Sequence, residues 1–270
     1  MLPITEAEFK QLADYIKNNF GIYLKPEKQA LLTGRLSNIL ENNKFTSFSE
    51  YYDYVIKDQT GKAAVSLIDR IATNYTYFMR EIEHFHYLQN AVLPYLENTI
   101  KDRDLRIWSA GCSTGEEAYT LSFILDEYFK DKNWWDKKIL ATDISVGALT
   151  TAKDGIYDQK QLAPLPPIWK LNYFKKLASH KYEVIDRIKK EVIFRKLNLI
   201  TDKFEFKKPF HIIFCRNVMI YFDNKDKMEL IRKFYDITAH GGYLFIGHSE
   251  SIARNDSNYS YIMPAVYRKI

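Results

Sequence analysis

The sequence predicts an N-terminal all-α bundle followed by a C-terminal doubly wound α/β domain, and three observations predict it. From Thr5 to about Arg70 the apolar side chains recur at helical spacing only. Beyond Ile71, short apolar runs of strand length alternate with helical stretches. One of those runs passes through a glycine turn straight into a helix, Trp108-Ser109-Ala110-Gly111-Cys112-Ser113-Thr114-Gly115-Glu116-Glu117. A chain of 270 residues accommodates two such units, and 46% apolar with 27% charged residues is the balance of one that buries a core.

In the bundle, Thr5 and Glu8 form a capping box, each side chain able to satisfy a backbone N–H that the first turn leaves free. Phe9, Leu12, Ala13, Ile16 and Phe20 follow on one face, and Gly21 is placed to end the helix. Pro26 suits the first turn of a second helix carrying Leu32, Leu36, Ile39 and Leu40. Ser47 and Glu50 repeat the capping pattern before Tyr51, Tyr52 and Val55, and a short fourth helix runs from about Ala63 to Ile71.

In the α/β region, strands are predicted at Leu105–Trp108, at Lys138–Thr142 ending in Asp143, and at Val192–Arg195, Phe210–Cys215, Tyr243–Ile246 and Val266–Lys269. The last two come as a pair with a turn-rich connection, which suits an antiparallel edge. The helix after the glycine turn buries Ala118, Leu121, Ile124, Leu125 and Tyr128. The expected division is 1–71 for the bundle, 72–90 for a linker and 91–270 for the α/β domain. An insert at about 155–191, broken early by Pro164, Pro166 and Pro167, fits neither period.

Composition and charge exclude or oppose several classes of protein. The longest apolar run, Val218 to Phe222, falls far short of the roughly 20 residues of a membrane span. The first nine residues carry two Glu and no basic residue, unlike a secretory signal, so a cytoplasmic protein is expected. Cys112 and Cys215 stand alone, with no metal-ligand spacing around them. The net charge is +5, and residues 175–208 hold 11 Lys or Arg against 5 Asp or Glu, which accounts for the whole excess. Such a segment is either a solvated face or a docking surface for an acidic protein; no nucleic-acid motif accompanies it.

Four stretches could do chemistry. The glycine turn sits where dinucleotide enzymes place their fingerprint, but its spacing differs and two Glu open the helix, which suits a cationic ligand tail better than pyrophosphate. Asp143, at the carboxyl end of the next strand, is placed to accept from ribose hydroxyls or to cap a helix. Thr73-Asn74-Tyr75-Thr76-Tyr77-Phe78-Met79-Arg80-Glu81 stands at the junction of the two regions with an arginine able to grip a carboxylate. Phe214-Cys215-Arg216-Asn217-Val218-Met219-Ile220-Tyr221-Phe222-Asp223 brings Arg216, Asn217 and Tyr221 out of a buried strand. His84 and His86, two apart on a helix, make a poor metal pair, and His248-Ser249-Glu250 is no relay by adjacency alone.

Together with Gly247-His248-Ser249-Glu250, these stretches closely resemble the bacterial chemotaxis receptor glutamate methyltransferases, the CheR family. The resemblance covers nearly the whole chain. It implies a class I S-adenosylmethionine-dependent methyltransferase domain carrying a small antiparallel β-subdomain, here the proline-led insert. It also implies transfer of methyl to glutamate side chains on the cytoplasmic helices of chemoreceptors. By the family's pattern Asn74, Thr76, Arg80, Gly111, Glu117, Asp143, Asn198, Leu199, Arg216 and Asn217 contact the cofactor, with Asp143 on the ribose. Arg80 and Tyr221 are expected nearest the reacting centre, and no metal is implied. A glutamate acceptor is already an anion at neutral pH, so orienting donors suffice where other chemistries need a base.

The chain departs from the family's pattern in two places. Met79 stands where a second Phe is usual, and no glycine occurs between Ile156 and His240, whereas members that tether a receptor tail peptide use a glycine-containing loop of the β-subdomain. Recognition through the methylation helices, by Lys25, Lys28 and Arg35 and the basic insert, is therefore expected in place of a tail-peptide tether. The rival readings are a non-catalytic cofactor-binding sensor or scaffold, a nicotinamide oxidoreductase, and a nucleic-acid methyltransferase. The missing dinucleotide fingerprint and the absence of an Asn-Pro-Pro-Tyr or Asp-Pro-Pro-Tyr motif oppose the last two.

Overall fold

Capping chemistry and helical periodicity build the first unit as expected. The computed structural model describes residues 2–253 and 257–270. Helices α1 (Glu6–Phe20), α2 (Gln29–Asn42), α3 (Phe48–Lys57) and α4 (Lys62–Ile71) close on Leu12, Ile16, Leu32, Leu36, Tyr51 and Leu67. The Thr5–Glu8 box forms in both directions, and Gly21 ends α1 at φ 76°. Pro26 opens a separate 3-10 turn, Pro26–Lys28, that leads into α2. At α3 Ser47 caps as predicted, but Glu50 reaches back one residue further, accepting from Thr46 N–H at 2.7 Å.

Residues 72–81 form the passage between the units. From Ile82 the chain is helical, as α5 (Ile82–Tyr87), a π-helical turn at Leu88–Val92, and α6 (Leu93–Thr99). Phe78, Phe85 and Leu88 from this stretch join the α/β core.

The main sheet has seven strands: β1 (Ile107–Ala110), β2 (Ile139–Asp143), then β6 (Val192–Lys196), β7 (Phe210–Cys215), β8 (Thr238–Ile246), β9 (Ser260–Met263) and β10 (Val266–Arg268). Their order is β6-β2-β1-β7-β8-β10-β9. The first five run parallel, and β10 pairs antiparallel with β8 and with β9. The expected antiparallel edge is present, but its outer strand is β9, a half-exposed run too irregular in pattern to announce itself. The first strand begins two residues later than predicted and takes in Ser109 and Ala110. Both small residues are buried, Ser109 on a central strand paired with Ala141 of β2 and Phe214 of β7.

The insert is a second, three-stranded antiparallel sheet of β3 (Ile156–Asp158), β4 (Phe174–Lys176) and β5 (Lys181–Val184), in the order β3-β5-β4. Pro167 starts a helix, α9 (Pro167–Tyr173), and α10 (Asp186–Lys189) leads back to β6. The β4–β5 turn places Ser179 and His180 at φ 58° and 59°, so two non-glycine residues make the left-handed pair that closes it. This sheet explains why α7 (Glu116–Tyr128) is buried all round from Ala118 to Leu125 and not on one face alone. The insert covers its outer side, with Phe123 stacked on Tyr173 at 4.5 Å. Helices α8 (Val146–Asp154) and α11 (Asn224–Ile237) complete the layers on the sheet.

Candidate active site

A cavity of about 1020 Å³ opens at the carboxyl ends of β1, β2 and β7 and is closed on its other side by the bundle. The chain runs outward from β1 through β2 to β6, then resumes at β7 on the opposite side of β1. The strand order therefore reverses between β1 and β7, where two successive connections leave the sheet in opposite directions and a crevice must form.

The turn after β1 shapes one wall. Gly111 and Cys112 N–H both donate to Thr142 O at 2.8 and 2.9 Å, which folds the turn back over β2. Gly111 has φ 96°, and a Cβ there would lie 2.4 Å from Val218 Cγ2. Its need for glycine therefore comes from packing against the loop after β7 as well as from backbone conformation. The two Glu that open α7 separate by environment. Glu116 is buried away from the cavity under the Thr114 hydroxyl at 2.6 Å, whereas Glu117 lines the cavity, accepting from Ser109 Oγ at 2.7 Å and Arg216 Nη1 at 3.1 Å. Burial raises the pKa of both, and the Arg216 charge opposes the rise at Glu117.

Arg216 is the hub of the second wall. It is buried, and its guanidinium donates to Glu81 Oε2 (3.3 and 3.1 Å), Glu117 Oε2 (3.1 Å) and the Arg80 carbonyl. Burial pushes the Glu81 carboxyl up, but Arg216 and the Asn217 and His248 donors outweigh it and leave its pKa below the ordinary value. Asn217 Nδ2 donates to Glu81 at 3.2 Å and Asn217 N–H to Glu250 at 2.9 Å. Glu250 is buried and also accepts from Gly247 and Ile220 N–H at 2.6 and 3.2 Å, so this one carboxylate fixes the loop after β7 to the loop after β8. Met79, Glu81, Ser113 and Asn217 all hold φ between 49° and 61°, a concentration of left-handed non-glycine residues around one cavity.

Asp143 closes the third side. Its two oxygens accept from Ser113 N–H (2.7 Å) and Ser145 N–H (2.9 Å); burial raises its pKa while these donors restrain it. Asn74 spans the gap, donating to Ser145 Oγ at 3.2 Å and accepting at its carbonyl from Ser113 Oγ at 2.9 Å. Asn198, at the end of β6, uses its side chain inside the protein, donating to Asn19 O and accepting from Ile200 and Thr201 N–H.

All eleven residues singled out in the sequence line this one cavity: Asn74, Thr76, Arg80, Gly111, Glu117, Asp143, Asn198, Leu199, Arg216, Asn217 and Tyr221. Lys25, Lys28 and Arg35 line it too. Arg35, however, is directed inward, donating to the Arg70, Ile71 and Ala72 carbonyls and to Thr73 Oγ1, and so caps α4 and anchors the passage between the units. The two units are further joined by Lys17–Asp223 (2.6 Å), Tyr23 N–H to Tyr221 O (2.8 Å) and Asp69 to Gly147 N–H (3.2 Å).

Sequence reasoning left Glu81, Ser109 and Glu250 without roles, although all three lie in the motifs that carry the resemblance. A signal was present, since an acidic residue beside an arginine in one motif and an arginine in another is a candidate pair. His84 was set aside with His86; fully buried itself, it meets the exposed His248 instead, ring centroids 4.6 Å apart. Glu81, His84 and His248 offer ligand atoms within 4.8 Å of one another. The Arg216 guanidinium on Glu81 opposes a cation there.

A sheet of this order with a crevice at its switch point, carboxylates on the wall and a buried, unpartnered acceptor at Asn217 Oδ1 fits an adenosine cofactor with a cationic tail. The class that fold and site define is the S-adenosylmethionine-dependent methyltransferase. The CheR methyltransferase family matches the chain in both its parts, the all-alpha domain over residues 7–72 and the SAM binding domain over residues 74–267. The chain is 45% identical over 270 residues to the chemotaxis protein methyltransferase of Borreliella burgdorferi, covering 98% of this chain and 95% of that one. It is 35% identical to a probable chemotaxis protein methyltransferase of Rhizobium etli (88% and 90% covered) and 32% identical to the chemotaxis protein methyltransferase of Escherichia coli (98% and 92% covered). The chain belongs to the CheR methyltransferase family, and an enzyme is favoured over a sensor or scaffold.

Proposed function

We propose that this enzyme methylates glutamate side-chain carboxylates on the cytoplasmic helices of chemoreceptors, giving methyl esters and S-adenosylhomocysteine. The observation that carries the reading is a contrast between two arginines of one cavity. Arg216 has its charge met by Glu81 and Glu117. Arg80, among the described residues, makes one guanidinium hydrogen bond, to the Tyr75 carbonyl at 2.9 Å, and no ion pair. A lone guanidinium on the cavity wall suits an incoming carboxylate.

When bound, S-adenosylmethionine supplies a methyl group on a positively charged sulfur. Asp143, held by two backbone donors, would accept from ribose hydroxyls. Glu117 and the free Asn217 Oδ1 would face the cationic tail, with Asn74, Thr76, Gly111 and Leu199 shaping the pocket and Asn198 holding the loop that carries Leu199. The acceptor glutamate needs no general base, since its carboxylate is ionised at neutral pH. Arg80 would orient that carboxylate and Tyr221 would help exclude water, so rate comes from alignment. Charge is annihilated on transfer, so a light grip on the acceptor is better than a tight one.

Lys25 and Lys28, exposed on the cavity rim, are the basic residues placed to meet an acidic receptor helix. Within the basic segment 175–208, Arg187 pairs with Asp126, Lys189 with Glu183 and Lys208 with Asp104, so part of that charge serves the fold. Weak binding to an isolated receptor tail peptide is expected. Among the described residues no helix is long and apolar enough to cross a membrane, and the proposed place of work is the cytoplasmic face of receptor-bearing membranes. The test is transfer of labelled methyl to such membranes followed by mild alkali. Release of label from receptor bands as methanol supports the reading; no label with a competent substrate and bound cofactor refutes it.

A further inference from the structure

Along residues 74–78 exposure alternates: Asn74 and Thr76 are half-buried at the cavity, Tyr75 and Tyr77 are exposed by 71% and 40%, and Phe78 is buried. This is the period of an extended chain, and it places two phenol rings on the same side at the cavity mouth. Rings so exposed contribute little to the core. They flank Arg80 instead. Its Cζ lies 5.8 Å from the Tyr75 centroid and 5.9 Å from that of Tyr77, and the rings are 6.0 Å apart at 59°. The three centres make a nearly equilateral triangle, with the guanidinium in the angle between two π faces and one N–H donated to Tyr75 O at 2.9 Å.

The geometry points to Tyr75 and Tyr77 as positioning residues for Arg80: an aromatic corner that holds the guanidinium ready for the acceptor carboxylate. This rests on the proposed function and names how its orienting group is held. A guanidinium attracted to ring faces keeps in-plane N–H donors for a carboxylate, and flanking rings shield that carboxylate from water. The backbone supports the same end. Met79 and Glu81 are both left-handed, at φ 61° and 55°, and the carbonyl between them accepts from Arg216, so the main chain of Arg80 is fixed while its side chain, four bonds long, would otherwise wander. Loss of an exposed ring–cation contact is a two- to fivefold effect, so loss of both rings is worth about 5- to 30-fold in rate.

The test compares Tyr75→Ala/Tyr77→Ala with Tyr75→Phe/Tyr77→Phe in the full-length enzyme. Two measurements are made: steady-state kinetics on receptor membranes, and the order parameter of the Arg80 Nε–H group by NMR, assigned by its loss in Arg80→Lys. The alanine pair is expected to lower kcat about 5- to 30-fold, leave KM for S-adenosylmethionine within twofold, and loosen the Arg80 Nε–H group. The phenylalanine pair is expected to behave as the parent in both measurements. Unchanged Arg80 order in the alanine pair, a defect confined to cofactor KM, or a phenylalanine pair as impaired as the alanine pair would each overturn the assignment. If the parent enzyme methylates no receptor, it is the proposed function that fails, and the NMR comparison still decides whether the rings hold Arg80.

Discussion

Acid should weaken this fold through His84 in a way that can be isolated. The ring is fully buried, and burial, then the Arg216 charge and then His248, lower its pKa from 6.5 to about 3. The neutral form is therefore the folded form, and the unfolded chain binds the extra proton. The stability tied to this group is fully present above the unfolded value, near 6.5, and declines as pH falls toward 3. By linkage, the difference between pH 7 and pH 5 is about 2 kcal/mol. Carboxylates raised by burial, such as Glu117, Asp143 and Glu250, act in the opposite sense, so the total slope is a sum. The His84 part is the difference between the parent and His84→Gln, which cannot titrate. Urea unfolding of both at pH 7, 6 and 5 should show the parent losing about 2 kcal/mol more than the variant over this range. Parallel slopes would refute the reasoning, for they would mean that His84 accepts its proton without leaving the core.

Arg216→Met should destabilise the enzyme by about 3 kcal/mol in denaturant unfolding, since it leaves the partly buried Glu81 and Glu117 carboxylates without their counter-charge; adding Glu117→Gln should recover part of the loss. Gly111→Ala should cost about 1–3 kcal/mol from its positive φ alone, with a further loss from the Val218 contact that Val218→Ala relieves. Lys25→Glu/Lys28→Glu should raise KM for receptor membranes and flatten its salt dependence, with cofactor affinity within twofold of the parent by calorimetry. Asp143→Asn should weaken cofactor binding measured the same way and also lower the urea midpoint, because its amide NH2 would face one of the two backbone N–H groups that the carboxylate accepts from.

Local chemistry made much of this protein readable from its residues. A capping box is a contact between neighbours in sequence, so Thr5 and Glu8 announced α1 unaided, and apolar spacing did the same for the bundle and the parallel strands. Of the eleven cavity residues, Asp143, Arg216 and Asn217 were legible as polar residues following apolar strands of a doubly wound sheet, whereas Asn198 and Leu199 came only from the family resemblance, and Asn74, Thr76 and Arg80 belong to the passage between the units. What had to wait for the tertiary structure was every pairing across distance. The encasement of α7 depends on an insert folding over it, so periodicity on α7 alone could predict only one buried face. Arg35 reads as a free surface cation until α4 presents its terminal carbonyls to it. His84 meets His248 and not His86, and Arg216 draws Glu81 and Glu117 from two other segments, because burial of a charge selects partners by position in space. Sequence determined which residues reach the switch-point crevice; the three-dimensional packing decided which of its two arginines is neutralised and which remains to meet a substrate.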